Sequence, residues 1–219
     1  MSEPTNPADA LDLLDWKRRV NAIYQQVRTE AIDDPGGAWE RWRTARDELF
    51  AAHPQSPLPD ASRAGFRGLP YFDHDPSVRV LAEVVGADPV RYDIATSGTP
   101  GGAYAFVRMA VARFELGGEP LALELYWLEG YGGGLFLPFR DSTAGAATYG
   151  AGRYLLDTVK GADLGMAADG RLVLDFNFAY NPSCAYDPSW VCPLAPPPNR
   201  LPVAVHAGER APEHEAPGP

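Results

Sequence analysis

Positive charge is scarce in this chain and nowhere forms a block. The 219 residues hold 19 Lys and Arg against 29 Asp and Glu, a net charge of −10. The longest basic cluster, Lys17-Arg18-Arg19, falls inside an amphipathic helical pattern. Nucleic acid is therefore not an expected partner, because its binding is driven by basic stripes that neutralise phosphates. Long apolar runs are also missing. No window approaches the roughly 18 apolar residues of a membrane span, so no membrane partner is expected. Met1 to Asp9 is polar and acidic, without the basic and apolar regions of a secretory leader. The expected location is thus cytoplasmic. Cysteine is nearly absent: Cys184 and Cys192 are the only two, too few for a disulfide framework and suited to a reducing compartment. No Gly-x-Ser-x-Gly elbow occurs, which removes an ordinary α/β-hydrolase. The Gly-rich stretches lack the Lys-Ser or Lys-Thr ending of a phosphate-binding P-loop. Gly130, Gly132, Gly133 and Gly134 stand in a turn context and do not complete a dinucleotide fingerprint.

What is abundant is proline and glycine, 22 of each, with hydrophobic residues at 45%. That composition favours a turn-rich β domain with its own core. Asn6-Pro7 predicts a helix start, Asn as cap and Pro in the first turn, followed by Leu11, Leu14, Ile23, Tyr24 and Val27 at helical spacing. A second helix starts at Asp34-Pro35, carries Trp39, Trp42, Leu49 and Phe50 on one side, and stops before His53-Pro54. Residues 53–76 read as a Pro- and Gly-punctuated crossing against the domain surface.

Beyond Val78 the period changes. Ala103 to Leu116 predicts a strand, Gly117-Gly118 a hairpin turn, and Leu121 to Trp127 its partner, with Leu121, Leu123, Leu125 and Trp127 sharing a face. Leu135 to Phe139, Arg153 to Thr158, Leu172 to Ala179 and Pro202 to His206 are further expected strands. The fold class is mainly β (α+β): a curled antiparallel sheet, barrel or sandwich, with an N-terminal two-helix arm. The expected divisions are a disordered 1–8, the arm over 9–52, the β domain over 53–208 and a disordered tail over 209–219.

Polar chemistry crowds between Phe136 and Asn199. By strand alternation Arg153 and Asp157 share one face, and Asp175 and Asn177 one face of the next strand. These faces either line a pocket or form the wet side of a sheet. The loop after Phe139 adds Arg140, Asp141, Ser142, Thr143, Thr148 and Tyr149 among small residues. Arg140 and Arg153 suit a carboxylate or phosphate, which a planar guanidinium bonds twice. Equally, an Arg–Asp pair, Arg140 with Asp141 or Asp157, would simply fix the loop. The preferred reading is a small polar or anionic molecule bound by Arg140, Asp141, Thr143, Thr148, Tyr149, Arg153, Asp157, Asp175, Asn177, Tyr180 and Asn181.

An enzyme is the alternative. Cys184 would be its nucleophile, activated by His74 or His206 as base or by Arg140 or Arg153 as charge. Otherwise Asp175 with Tyr149 or Tyr180 would do acid–base work. Cys184 and Cys192 could also pair as a disulfide or redox couple, or rest as two buried thiols. Their spacing with His206 is not a zinc pattern, and no metal or cofactor is assigned. A third alternative is a protein-interaction domain using the Trp-bearing arm. Composition and spacing leave the oligomeric state open.

An ordered series of motifs resembles the uncharacterised family DUF1684 over about Trp42 to Glu209. They are Arg46-Asp47 with Phe50, Ser56-Pro57-Leu58, Phe66 to Phe72, Leu137 to Gly145, Thr148 to Tyr154 and Leu174 to Pro182. Cys184-Ala185-Tyr186, Cys192-Pro193-Leu194, Asn199 and Ala207-Gly208-Glu209 complete the series. The resemblance implies membership and no activity. Some members look like secreted lipoproteins; no such leader is expected here, which favours the cytoplasm.

Overall fold

A computed structural model describes residues 6–97 and 102–212. The expected disorder at 1–5 and 213–219, with His214, lies outside the described residues. The arm is two helices, α1 (Pro7–Glu30) and α2 (Pro35–Ala52), each begun by the same device. Asn6 accepts from the Asp9 amide at 3.0 Å and Asp34 from the Gly37 amide at 2.9 Å, each with Pro in the first turn. Helix α2 ends at Ala52, with His53 already extended ahead of Pro54. A short α3 (Asp60–Arg63) follows in the crossing. None of the described helices is long and apolar enough to cross a membrane.

Six antiparallel strands make one sheet in the order β5-β4-β3-β2-β1-β6: β1 Arg79–Ala95, β2 Ala103–Leu116, β3 Glu119–Leu128, β4 Gly134–Phe139, β5 Arg153–Asp157 and β6 Leu172–Asp175. The β2–β3 hairpin turns on Gly117 and Gly118, both at positive φ (62° and 84°), as a two-residue turn matched to strand twist requires. The two edges of the sheet meet beyond β6. Tyr154 of β5 and Tyr180 exchange backbone hydrogen bonds of 2.9 and 3.1 Å, which nearly closes the sheet into a barrel.

Each face of the curled sheet has its own core. One gathers Leu123, Leu125, Leu137, Phe139, Leu174 and Phe176 beneath a returning C-terminal segment that supplies Leu201, Val205 and Ala207. The other gathers Phe106, Tyr126, Phe136 and Tyr154 beneath Tyr24, Trp39 and Trp42 of the arm. The aromatic stripe of α2 is therefore core.

Several expectations need correction. The arm begins at Pro7, and Glu209 is fully buried, so the ordered body extends past 208. Leu11 and Leu14 are exposed, because only the C-terminal half of α1 reaches the sheet. Strand β1 was not read as a strand: Gly86 and Pro89 interrupt its pattern where its pairing with β2 shifts register between Gly86 and Val90. Leu172 to Ala179 is not one strand. The Asp175 carboxylate accepts from the Asn177 amide at 3.0 Å, and Phe176–Phe178 winds into a 3₁₀ turn. Phe176 then packs with Phe139 while Phe178 packs with Trp42 on the other face. Residues 202–206 form no strand; the Ser142 amide donates to the Val203 carbonyl at 3.0 Å, and the Asp141 and Arg153 side chains hold the Val205 backbone.

Candidate functional site

Alternation places Arg153 and Asp157 together, but the structure separates them. Pairing of β4 with β5 shifts register between Leu137 and Pro138, leaving Leu155 as an extra residue. One extra residue reverses the faces beyond it. Arg153 therefore lies over the Phe139 ring, 5.0 Å away, on the C-terminal side. Asp157 lines a cavity with Phe106 and Phe136 on the arm side.

The predicted site residues resolve into separate clusters. In the first, buried Arg153 donates to the carbonyls of Val205 at 3.1 Å, Ala207, and Glu209 at 3.1 Å. Its other partner is Asp141 at 3.6 Å. Burial draws the Arg153 pKa down to about 10 against the pull of Asp141 and Glu209. Asp141 also accepts from the Val205 amide at 2.6 Å and from the Thr143 hydroxyl, which contacts the Thr148 hydroxyl at 2.9 Å. This is an Arg–Asp pair that fixes loop and C-terminal segment, with the pairing on Arg153 rather than Arg140. Arg140 bonds through its backbone to Asn199 and Leu201, and its Nε is buried without a partner.

In the second cluster Asp175 accepts from the Asn177 amide group at 2.8 Å and from Arg79 at 3.3 Å. The Asn177 side chain pairs with the Asp75 backbone at 2.9 and 2.7 Å, and the Asn177 backbone carbonyl accepts from the Trp39 indole at 2.9 Å. Asp175 and Asn177 are both fully buried, and neither lines a cavity described below.

The third cluster contains residues that strand alternation missed. Arg46 of α2 meets the Glu209 carboxylate at 3.1 and 3.3 Å and donates to the Tyr71 hydroxyl at 3.1 Å. Tyr186 and the Asn181 amide each donate to Glu209 at 2.5 Å. The guanidinium stacks on Trp42, Phe50 and Tyr180. Burial opposes the Arg46 charge, but Tyr71, Glu209 and their neighbours outweigh it and raise its pKa well above the usual value. Gly208 makes the approach possible: at φ 73° a side chain there would strike the carbonyls of Phe176 and Ala179 at 2.6 Å. Arg46 and Glu209 lie 163 positions apart and are recognisable in the sequence only as members of the motif series.

A cavity of about 60 Å³ opens beside this third cluster, between the arm and the closing edge of the sheet. Tyr24, Arg46, Tyr180, Asn181, Ser183 and Lys160 supply its polar wall, and Trp16, Val20 and Phe50 its apolar one. The Tyr180 hydroxyl and Asn181 Oδ1 are buried and make no hydrogen bond. The Asn181 Nδ2 donates to the Arg210 carbonyl at 2.7 Å, which leaves Oδ1 as the end without a partner. The Tyr24 hydroxyl, beside the Trp42 indole, makes no well-aligned bond either. Burial pushes the Tyr24 pKa up to about 12 and raises Tyr180 well above the ordinary range, so both remain donors at neutral pH.

Lys160 also borders a second cavity, of about 170 Å³, walled by Tyr104, Phe106, Leu128, Phe136, Val159, Val191 and Pro193. Asp157 is its acid; burial raises the Asp157 pKa against the attraction of Lys160, whose ammonium is 3.8 Å away. Tyr149 approaches Cys184 Sγ at 3.8 Å. His206 packs on Phe72 and His74 on Trp39, so the ring neighbours of these expected bases are aromatic. Among the described residues, no group of His, Cys, Asp or Glu converges as a metal-holding cluster.

A family model described as "Protein of unknown function (DUF1684)" matches residues 64–210. The solution NMR structure of an uncharacterised protein from Haloarcula marismortui is 36% identical. That likeness covers 83% of this chain and 96% of the other, with a TM-score of 0.59. No curated protein matches.

Proposed function

Because this chain belongs to the DUF1684 family, whose description assigns no activity, we propose from geometry that it is a binding module for a small polar molecule, held between arm and barrel. One observation carries the reading. Tyr180 and Asn181, which line one cavity with Lys160 and Arg46, each hold a buried polar atom without a partner, Oη and Oδ1. Buried polar groups ordinarily find a partner, since leaving one unbonded costs about 1–3 kcal/mol.

The wall chemistry defines the ligand class. Tyr180 and Tyr24 offer hydroxyl donors and Lys160 a positive charge, which together suit a carboxylate. Asn181 Oδ1 accepts, which calls for an N–H or O–H on the same molecule. The Arg46 charge is already neutralised by Glu209, so Arg46 contributes its flat face and orientation. A small hydroxy acid or amino acid meets these demands, and the limited volume favours the smallest of them.

The test is thermal unfolding of the wild-type protein against a panel of small hydroxy and amino acids, repeated with Tyr180→Phe and Lys160→Met. A ligand at 100 times its Kd should add about 2.7 kcal/mol to wild-type stability. Both variants should lose that increment while unfolding cooperatively on their own. A panel without effect on the wild type, or an increment unchanged in both variants, would remove the proposal.

A further inference from the structure

We propose that the cavity of about 170 Å³ is a second binding site, which takes a neutral aromatic ring bearing one hydroxyl, a phenol. It shares one lining residue, Lys160, with the cavity beside the arm and does not rest on the reading of that site. Its size suits a single ring, since an engineered protein cavity of about 150 Å³ takes up benzene. Folded interiors seldom leave a void larger than a water molecule, so a space of this size calls for a reason.

The wall favours an aromatic guest. Tyr104 and Phe106 come from β2 and Phe136 from β4. The Phe106 and Phe136 rings stack with centroids 5.2 Å apart, and Phe136 meets the edge of Tyr154 at 4.8 Å. Rings held by other rings attract a further ring more than an aliphatic group of equal size. The protein itself fixes the opposite side, where Val191 and Pro193 flank Cys192. The Cys192 amide donates to Ser97 Oγ at 3.0 Å, and the Ser97 amide donates to the Cys192 carbonyl at 2.9 Å. The Tyr154 hydroxyl donates to the Pro193 carbonyl. A wall already in place spares a ligand the cost of ordering it. Tyr104 is 38% exposed, so the lining reaches the surface.

A purely apolar void needs no charged residue in its lining. This one has two of opposite sign, Asp157 and Lys160. The Asp157 side chain is 8% exposed, and the Lys160 ammonium stands 3.8 Å from its Oδ2. That separation exceeds a hydrogen bond, which ends near about 3.2 Å. One hydroxyl suits it, donating to the carboxylate and accepting from the ammonium, because two bonds of about 2.8 Å span 3.8 Å with room to bend. Burial works against the Asp157 charge, so a donor brought to the carboxylate is favourable. A charged ligand is disfavoured. Asp157 and Lys160 balance one another, and an added carboxylate or ammonium would leave one charge uncompensated away from water.

The experiment titrates the full-length chain at pH 7 with phenol, and with toluene, benzoate and benzylamine as controls, reading affinity from two-dimensional NMR spectra. Phenol should bind saturably. Toluene should bind at least about tenfold more weakly, the ratio set by one hydrogen bond to a charged group. Benzoate and benzylamine should also bind more weakly than phenol. Val191→Phe, which adds a ring to this wall alone, should weaken phenol by at least about tenfold. Tyr180→Phe, which alters only the other cavity, should bind phenol as the wild type does. In the wild type, nuclear Overhauser contacts should join phenol protons to the Leu128 and Val159 methyls, a readout that stands even where Val191→Phe fails to fold. The proposal is overturned by phenol that does not saturate, by toluene as tight as phenol, or by either charged control as tight as phenol. It is equally overturned by a folded Val191→Phe with unchanged affinity, by phenol lost in Tyr180→Phe, or by contacts that fall outside this cavity.

Discussion

Two carboxylate-paired arginines in this molecule, Arg153 and Arg46, have opposite surroundings. Arg153 has its donors occupied by the Val205, Ala207 and Glu209 carbonyls, with Asp141 beside it and Phe139 beneath. Arg46 is also paired and stacked, yet it lines a cavity together with Tyr180 and Asn181, each of which holds a buried polar atom without a partner. A closed network of this kind holds a chain in place; an open one can receive a molecule. Residue type does not separate the two, since each combines an arginine, a carboxylate and aromatic rings. Glu209 joins them, giving its carbonyl to Arg153 and its carboxylate to Arg46.

The largest effect should come from breaking that join. Glu209→Ala takes the carboxylate from the Arg46 guanidinium, whose side chain is only 12% exposed, and the loss of one member of such a largely desolvated pair costs about 3–5 kcal/mol. Urea unfolding should show that loss, or no folded protein at all; a loss under about 1 kcal/mol would mean the arm is not held by this pair. Arg153→Met ranks next. It removes the donor from buried carbonyls and the charge partner from buried Asp141, which keeps the Val205 amide and the Thr143 hydroxyl, at about 3 kcal/mol. The comparison sharpens here, because Arg153→Met should leave ligand affinity unchanged in whatever fraction folds. A lost affinity would join Arg153 to the binding site after all.

The sequence was readable wherever local chemistry decides. Asn6-Pro7 and Asp34-Pro35 begin helices through side chains acting within three residues, and Gly117-Gly118 turns a hairpin through its own torsions. It misled where a single residue shifts a register. Leu155 moves Asp157 to the face opposite Arg153, and no alternation rule shows that a strand will bulge there. The fully buried Asp175 and Asn177 read as ligand-binding residues or as a wet face, because a polar side chain reads the same whether a ligand, water or the Asp75 backbone and Arg79 satisfy it. The third cluster was least readable of all. Arg46 and Glu209 meet only when the C-terminal segment returns over the sheet, a contact that depends on the completed fold. Of the eleven residues expected to bind, Tyr180 and Asn181 reach the polar cavity and Asp157 the apolar one.

A smaller effect distinguishes the two cavities through pH. Burial raises the Asp157 pKa. A carboxyl whose folded pKa exceeds its unfolded value, about 3.9, contributes stability that is fully present below the unfolded value and is lost as pH rises through the folded one. Asp157→Asn removes that dependence and keeps an Oδ1 that can accept from the Lys160 amide. Relative to wild type, the variant should therefore gain stability between pH 4 and pH 7. Urea midpoints at both values measure it, and a relative stability that is flat or falls over that interval would place Asp157 in a more solvated setting.

The smallest expected change in stability belongs to Tyr180→Phe, and it probes the open network most directly. Tyr180 Oη makes no hydrogen bond within the protein, so its removal breaks no internal pair. Without ligand, the substitution should be neutral or stabilising, because a buried hydroxyl with no partner carries its desolvation cost for nothing. With saturating hydroxy or amino acid, the same substitution should cost the hydrogen bond to the bound carboxylate, about 1.5–3 kcal/mol for a bond to a charged group. The sign therefore changes between the two conditions. Arg153→Met, by contrast, should lower stability equally in both. A Tyr180→Phe variant destabilised by more than about 1 kcal/mol without ligand would show that the hydroxyl serves the fold, and the distinction between an open and a closed network would fail at the residue on which it most depends.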